Sequence, residues 1–250
     1  MSRKDRDGMS KREMFRERRR RTETRNRLVA IGLIVLGAAL VAFFLIWPTL
    51  RPVDVVAVTP LTRTQVDFNQ AGDPNAPVKL DEYSDFQCPF CARFSEQTEQ
   101  ALLDAYVDTG KVFFTYHSVG EFIGPESSTS AEAAYCAGDQ NKFWEYHDYV
   151  LGNQRGENAG WFSTRRLTAF AEALGLDINE FGSCFNNGKY RDMVRQELFA
   201  ARELGIQSTP SFIITYTVDG QTVTDSIKGA EGFGVFQQKL DAALAAAGTQ

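Results

Sequence analysis

The chain has 250 residues, of which 43 % are hydrophobic and 24 % are charged, an ordinary composition for a folded protein. Its charge is unevenly distributed. The first 27 residues hold twelve Lys and Arg against five Asp and Glu, so they carry +7, whereas the remainder carries −12 within a total of −5. An acidic body disfavours nucleic acid as the main partner, because phosphate binding requires a cationic surface on the folded part.

An apolar segment of twenty residues, 28–47, follows the basic N-terminus without a charged residue. As a helix it is about 30 Å long, which matches the hydrocarbon core of a bilayer. The basic flank predicts a cytoplasmic tail over 1–27 and an extracytoplasmic C-terminal part. The alternative is a cleaved signal peptide, but the apolar run is longer than a normal signal core and residues 46–49 offer no small-x-small site. The pattern therefore favours a single-pass transmembrane signal-anchor.

The rest of the chain predicts a mixed α/β domain. Residues 48–72 show no sustained periodicity and are expected to form a linker, and the domain is expected over 73–250. In chain order the patterns predict strand 78–83, helix 89–109, strand 112–117, a block of three or four helices over about 126–204, strands 212–216 and 222–227, and helix 235–247. The order βαβ, helical block, ββα predicts an α/β sandwich with an inserted helical subdomain.

Two cysteines lie where the first strand turns into the first helix, in Cys88-Pro89-Phe90-Cys91. The helix dipole and the free N–H groups stabilise a thiolate on Cys88, which makes it the attacking sulfur. Cys91, one turn deeper, is expected to be the resolving thiol that displaces the substrate from a mixed disulfide. A zinc half-site is one alternative, although the other Cys and His residues are dispersed. An inert structural disulfide is another, although so short a loop restricts the unfolded chain little.

Two motifs carry a family resemblance. Residues 72–91 read Gly-Asp-Pro-Asn-Ala-Pro-Val and, after four residues, Tyr-Ser-Asp-Phe-Gln-Cys-Pro-Phe-Cys, and residues 205–212 read Gly-Ile-Gln-Ser-Thr-Pro-Ser-Phe. They resemble the entry segment and the cis-proline loop of DsbA-family thiol-disulfide oxidoreductases, particularly the membrane-anchored bacterial members. The resemblance spans residues 72–250. It implies a thioredoxin-like fold with a helical insertion and a cis Pro210 beside the cysteine pair, and it implies substrate contacts at Pro89, Phe90, Thr209 and Pro210.

The resemblance also assigns a role to Glu82, six residues before Cys88. A carboxylate at this place takes or gives the proton of Cys91 during exchange, while a solvated strand carboxylate is the alternative, since burial is not readable from the sequence. Phe90 departs from the best-known DsbA pattern, which has His there. Without an imidazolium we expect a less extreme thiol pKa and a less oxidising pair.

The remaining cysteines, Cys136 and Cys184, both fall in the helical block. In an oxidising compartment they are expected to form a structural disulfide, as in some family members, rather than to remain buried free thiols. His117 and His147 are expected to be structural histidines. No metal, nucleotide or organic cofactor is expected, because the sequence has no phosphate-binding glycine loop and no ligand cluster.

The resemblance implies a dithiol oxidase that introduces disulfides into reduced exported proteins outside the cytoplasm. Each turnover reduces such an enzyme, so the family implies a quinone-linked membrane reoxidant, DsbB-like or VKOR-like. Two alternatives remain. One is a membrane-tethered disulfide reductase or isomerase. The other is a peptide-binding or chaperone-like module that uses the groove beside Pro210 without turnover.

Overall fold

The computed structural model describes residues 11–51 and 53–248, and the first ten residues of the predicted basic tail lie outside the described part. The chain divides into two compact units, Met1–Pro52 and Val53–Gln250. In the first unit, helix α1 (Lys11–Leu50) continues from the basic stretch into the apolar one. Among the described residues it is the one helix long and apolar enough to cross a bilayer, within Met14–Trp47. It contains the predicted span 28–47.

The second unit is built on one sheet, whose strands among the described residues are β1 (Gln70–Ala71), β2 (Val78–Ser84), β3 (Val112–Ser118), β4 (Ser211–Val218) and β5 (Gln221–Lys228). Their order across the sheet is β1-β3-β2-β4-β5. Only the central pair β2 and β3 is parallel, and the other neighbours are antiparallel. A parallel pair needs a crossover, which the helix after β2 supplies. The short β1 was not predicted.

The crossover helix begins at the two cysteines, and we call residues 89–107 the cysteine helix. It consists of α2 (Pro89–Phe94), a π-helical turn (Ser95–Glu99), α3 (Gln100–Leu102) and a second π-helical turn (Leu103–Val107). The insertion between β3 and β4 contains five helices, one more than the upper prediction: α4 (Pro125–Gly138), α5 (Phe143–Gly152), α6 (Thr164–Ala173), α7 (Ile178–Asn186) and α8 (Arg191–Glu203). Helix α9 (Phe233–Ala246) follows the hairpin. The predicted α/β fold with a helical insertion is confirmed.

The core places the cysteine helix on one face of the sheet. Phe94 of that helix contacts Phe212 of β4 with ring centroids 4.6 Å apart, and Phe236 of α9 lies 4.8 Å from Phe212. Glu82 of β2 pairs with Phe212 in the sheet, so its side chain shares this buried face. The opposite face carries Tyr83, which packs in a smaller cluster with Leu198 of α8.

The predicted linker over 48–72 is wrong for residues 53–72, which belong to the second unit. Val55, Val58 and Leu61 pack against the main core, and the side chain of Arg63 is only 1 % exposed. These apolar residues recur at every third position, which is neither the two-residue period of a strand nor the 3.6-residue period of a helix, and the segment has no helix or strand before β1. The periodicity therefore did not reveal their burial.

Candidate active site

Cys88 and Cys91 lie at the N-terminus of the cysteine helix, where the sequence placed them. Cys88 is the residue before α2, and Pro89 occupies the first turn, where a missing N–H costs nothing. A turn after β2 fixes this start, because the Cys88 N–H donates to the Asp85 carbonyl at 2.9 Å. Both cysteines are free thiols; Cys88 is 4 % exposed and Cys91 is fully buried. Cys88 is thus the sulfur nearer to solvent.

Local hydrogen bonds lower the pKa of the Cys88 thiol to about 6. The largest cause is a hydrogen bond with the Cys91 side chain, and burial opposes it. Hydrogen bonds with the Thr209 side chain and with the backbone N–H groups of Cys91 and Phe90 lower the pKa further. These N–H groups belong to the first turn of a helix, whose N-terminus favours an anion. Cys88 therefore has the properties of a nucleophilic and leaving sulfur.

The second predicted motif meets the first at Cys88. The Thr209–Pro210 peptide bond is cis, and the Cys88 thiol donates to the Thr209 carbonyl oxygen over 3.3 Å. These residues are 121 positions apart in the chain, so only the fold brings them together. Between the two cysteines in the chain, Phe90 is 54 % exposed, and the Arg93 guanidinium lies 4.9 Å from the centre of its ring. The Cys88 sulfur thus contacts the cis-proline loop, and an exposed aromatic ring lies two residues further along the chain.

Glu82 is buried, which the sequence left open. Glu82 is 1 % exposed and lies on the sheet face that the cysteine helix covers. Burial raises its pKa well above the ordinary range, and the negative charge of Glu99 raises it next. Burial also raises the pKa of Cys91 well above that of a free thiol, with further increases from Cys88 and Glu82. Glu82 and Cys91 are therefore two proton-holding groups in one buried space.

A buried charged cluster beside the site was not predicted. It consists of Arg63, Glu99, His147 and Asp148. The Arg63 guanidinium lies 2.6 Å from Glu99 and 2.8 Å from Asp148, and His147 Nδ1 lies 2.8 Å from Asp148 Oδ1. The partners of Arg63 are 36 and 85 positions away in the chain, and no local pattern announces such a contact. The only indication in the sequence was that Arg63 stands alone within a partly apolar segment.

Cys136 of α4 and Cys184 of α7 are joined by a disulfide with a Cα–Cα distance of 5.8 Å. The pair thus lies in the helical block, as expected. His117 was expected to be structural, and it lies on β3 with Nε2 2.9 Å from Asp81 and Nδ1 3.2 Å from Glu197. Trp144 is buried in the aromatic core.

Comparison with known proteins identifies the family. Residues 66–230 match a family model described as Thioredoxin, which is more than half of the chain. The chain belongs to the thioredoxin family. Within this thioredoxin-family chain the matched region contains both cysteines of the pair, Glu82 and the cis-proline loop.

Solved structures that resemble this thioredoxin-family chain include DsbA proteins. Alpha-DsbA1 from Wolbachia pipientis superposes with a TM-score of 0.63 at 21 % identity, covering 72 % of this chain and 92 % of that one. Oxidised BdbD from Bacillus subtilis gives 0.62 at 19 % identity, covering 77 % and 100 %. At identities this low, the superpositions show a shared fold and nothing more. That fold agrees with the predicted DsbA-type thioredoxin fold with an inserted helical subdomain.

Curated relatives include two kinds of protein. The probable disulfide bond formation protein D of Bacillus anthracis is 28 % identical over 147 residues, 57 % of this chain and 67 % of the relative. The Na(+)/H(+) antiporter NhaA 1 of Salinispora arenicola is 31 % identical over 144 residues, but these are 57 % of this chain and only 21 % of the antiporter. The chain spans about a fifth of the first curated relatives it matches, so their ion transport is not carried over to it.

Proposed function

We propose that the chain is a membrane-tethered protein thiol-disulfide oxidoreductase that acts as a dithiol oxidase on reduced exported proteins. One observation carries the proposal: a thiol with a pKa of about 6, Cys88, lies between the buried thiol of Cys91 and the cis-proline loop. A shielded second thiol allows a disulfide to close within the site, and the loop offers backbone groups to an extended substrate chain. The relatives named for disulfide bond formation support the same chemistry.

The reaction begins from the Cys88–Cys91 disulfide. A substrate thiolate attacks Cys88 Sγ, the bond to Cys91 breaks, and Cys91 leaves as a thiolate that takes a proton from Glu82. A second substrate thiolate then attacks the substrate sulfur of the mixed disulfide, and Cys88 leaves as its stabilised thiolate. Two electrons pass from the substrate to the enzyme, and the substrate gains one disulfide.

Reoxidation reverses these steps on an oxidising disulfide partner. The Cys88 thiolate attacks the partner, and Cys91 gives its proton to Glu82 and attacks Cys88, so the partner leaves with two electrons. In the oxidase direction Cys91 therefore resolves the mixed disulfide with the oxidant, and not the mixed disulfide with the substrate that its position in the motif had indicated. Substrate contacts at Pro89, Phe90, Thr209 and Pro210 remain part of this proposal.

The lowered pKa of the Cys88 thiol supports this direction of electron flow. A stabilised Cys88 thiolate favours the reduced enzyme, and the oxidised enzyme is then a better electron acceptor. Because the pKa of Cys88 is lowered, we expect a reduction potential above the value of about −270 mV for thioredoxin.

The proposed location is the outer side of the cell membrane. Residues 28–47 would form the anchor, with the basic residues before them in the cytoplasm and the catalytic domain outside. Disulfides persist in that compartment, and the Cys136–Cys184 bond is consistent with it. A quinone-linked membrane protein, DsbB-like or VKOR-like, would return the enzyme to its disulfide form.

The test is the equilibrium reduction potential of the full chain in detergent micelles, titrated against glutathione with Cys136 and Cys184 intact. Oxidation of a reduced, unfolded two-thiol protein is followed in parallel. Cys88→Ser serves as the inactive control. Cys91→Ser cannot close the disulfide of the pair, so it should not oxidise the substrate and should accumulate the mixed disulfide of Cys88 with glutathione. A potential near that of thioredoxin would favour the reductase or isomerase. A chain without a titratable pair that still binds unfolded peptide would be the binding module instead.

A further inference from the structure

Arg63 is a buried cation held between two elements that flank the redox site. Its Nη2 lies 2.6 Å from Oε1 of Glu99, on the cysteine helix, and 2.8 Å from Oδ1 of Asp148, on α5. Its Nη1 lies 2.9 Å from Oδ2 of Asp148, and its guanidinium lies 4.4 Å from the ring centre of Trp144. The three charged side chains are at most 4 % exposed. Solvent therefore does little to screen this cluster.

The cluster reaches Glu82 from the side of the cysteine helix. Glu99 lies on that helix and Glu82 lies on the sheet face beneath it, and the charge of Glu99 acts directly on Glu82. Arg63 acts on Glu82 in the opposite sense. Glu82 and Glu99 each have a buried Oε2 without a hydrogen-bond partner among the described residues. The Glu82 carboxyl thus has an oxygen on which a proton can reside.

A second line of contacts reaches Glu82 through β3. Tyr116 is the neighbour of Glu82 in the sheet, and its ring lies 4.7 Å from the ring of His147. His147 is hydrogen-bonded to Asp148, and Asp148 in turn accepts a hydrogen bond from Arg63. The charged and titratable groups that face Glu82 from all these elements are Cys88, Cys91, Glu99, Arg63 and Tyr116.

A metal ion is the obvious alternative occupant of this cluster. Donor atoms of Glu99, His147 and Asp148 lie within 4.8 Å of one another. The Arg63 guanidinium, however, already lies within 3 Å of both carboxylates, and an Arg side chain does not lose its proton in proteins. A metal would have to displace a buried cation, so the fixed positive charge of the cluster is Arg63.

We propose that Arg63 is a positioning residue of the redox reaction: by balancing the charge of Glu99 and Asp148 it keeps Glu82 able to accept the proton of Cys91. This rests on the proposed function. In the step concerned, Cys91 gives its proton to Glu82 and its sulfur attacks Cys88 in the mixed disulfide. The Cys88–Cys91 bond forms, the bond from Cys88 to the partner sulfur breaks, and the partner leaves as a thiolate with the electron pair.

The charges predict opposite effects for two substitutions. Arg63→Met removes the cation that favours ionised Glu82, whereas Glu99→Gln removes the anion that opposes it. The step in which Cys91 attacks should therefore require a higher pH in Arg63→Met and a lower pH in Glu99→Gln. The double variant should lie between the two single variants. A purely structural defect has no reason to act with opposite signs.

The experiment uses the full chain in micelles with two readouts. First, the mixed disulfide of Cys88 with glutathione is formed at acidic pH and shifted to a series of higher pH values, and its loss is counted by mass spectrometry after acid quenching. Second, the infrared absorption of the protonated Glu82 carboxyl is titrated, with Glu82→Gln as the reference. Arg166→Met is the matched control, because Arg166 holds the same segment at the Asp54 carbonyl, 2.8 Å away, but lies outside the cluster.

We expect Arg63→Met to raise the pH midpoint of both readouts by about one unit, which is roughly a tenfold slower Cys91 step at neutral pH. Arg63→Lys should recover part of this loss, and Arg166→Met should match the wild type. Equal midpoints in wild type, Glu99→Gln and Arg63→Met, or shifts of the same sign, would overturn the proposal. If Arg63→Met does not fold, the direction of the Glu99→Gln shift decides. The infrared titration follows the protonation of Glu82 and needs no turnover, so it tests the role of Arg63 even in a chain without oxidase activity. A lack of oxidase activity would contradict the proposed function and not the role of Arg63.

Discussion

Cys88 differs from an ordinary cysteine in the pKa of its thiol, and this gives the first prediction. Its alkylation by iodoacetamide should increase with pH around a midpoint of about 6, rather than about 8.5 as for a free thiol. The reason is that hydrogen bonds from Cys91, Thr209 and the helix N-terminus favour the thiolate, which is the reactive form. Below the midpoint the thiolate is lost and alkylation should fall.

Mass spectrometry of the labelled peptides separates the two thiols in this measurement. Cys91 is fully buried with a raised pKa, so it should remain unlabelled in the folded protein and serves as the internal control. Phe90→His should lower the Cys88 midpoint further, because it adds an imidazolium beside the thiolate. A wild-type midpoint above pH 8 would contradict the role given to the hydrogen bonds.

His117 gives a second prediction, this time on stability. Burial opposes its charged form, but hydrogen bonds to Asp81 and Glu197 outweigh burial and raise its pKa to about 9. A raised pKa stabilises the fold below the unfolded value of about 6.5, and this contribution is lost as the pH rises through 9. The melting temperature of the wild type should therefore decline between pH 6.5 and pH 9.

His117→Gln is the variant that isolates this effect, since an amide keeps hydrogen bonding without titrating in this range. Its melting temperature should decline less over the same interval, when measured by circular dichroism in matched buffers. Equal declines in the two proteins would assign the pH dependence to groups other than His117.

Among the elements, the cysteine helix holds the largest part of the proposed site. The helix begins directly after Cys88, and Cys91 lies in its first turn. Its π-helical turn Ser95–Glu99 places Glu99 beside Arg63. One element therefore connects the accessible sulfur with the buried charges. π-Helical turns are uncommon in proteins as a whole, but those that occur are often found at functional sites. The position of Glu99 in such a turn is therefore consistent with the proposed effect of this carboxylate on Glu82.

Helix α7 provides a matched pair for a test of helix capping. The Asp177 carboxylate accepts from the N–H groups of Asn179 and Glu180 at 2.8 and 3.1 Å, whereas Ser163 before α6 makes no side-chain cap. Asp177→Ala should therefore lower the free energy of unfolding by about 1 kcal/mol, and Ser163→Ala should change it little. Urea unfolding at neutral pH measures both, and equal effects would contradict the assignment of the cap.

For the whole molecule, the sequence predicted those features whose signal is local. Cys88-Pro89-Phe90-Cys91 and Thr209-Pro210 are short motifs at strand and helix ends, and the alternation around them gave the strands to within one or two residues. Glu82 was named, but its burial depends on the cysteine helix that covers it. Arg63 was missed because its partners come from the cysteine helix and α5, and no periodicity relates residues so distant in the chain.

The same distinction leads to a prediction on where the folded unit begins. A chain that starts at Val53 retains Arg63 and the apolar residues packed around it, whereas a chain that starts at Asp73, the predicted domain start, loses them all. In the shorter chain Glu99 and Asp148 remain buried without their cation. Breaking a buried ion pair by removing one partner costs about 3–5 kcal/mol, and the lost apolar contacts add to this.

Urea unfolding followed by tryptophan fluorescence compares the two truncated chains with the full chain in micelles. We expect the unfolding midpoint of the chain from Val53 to match that of the second unit in the full chain, and the chain from Asp73 to unfold at much lower urea or not to fold. Arg63→Met in the longer truncation should reproduce only part of the loss, because it keeps Val55, Val58 and Leu61 in place. Equal midpoints for the two truncations would return residues 53–72 to the role of a linker, and Arg63 would then contribute nothing to the fold on balance.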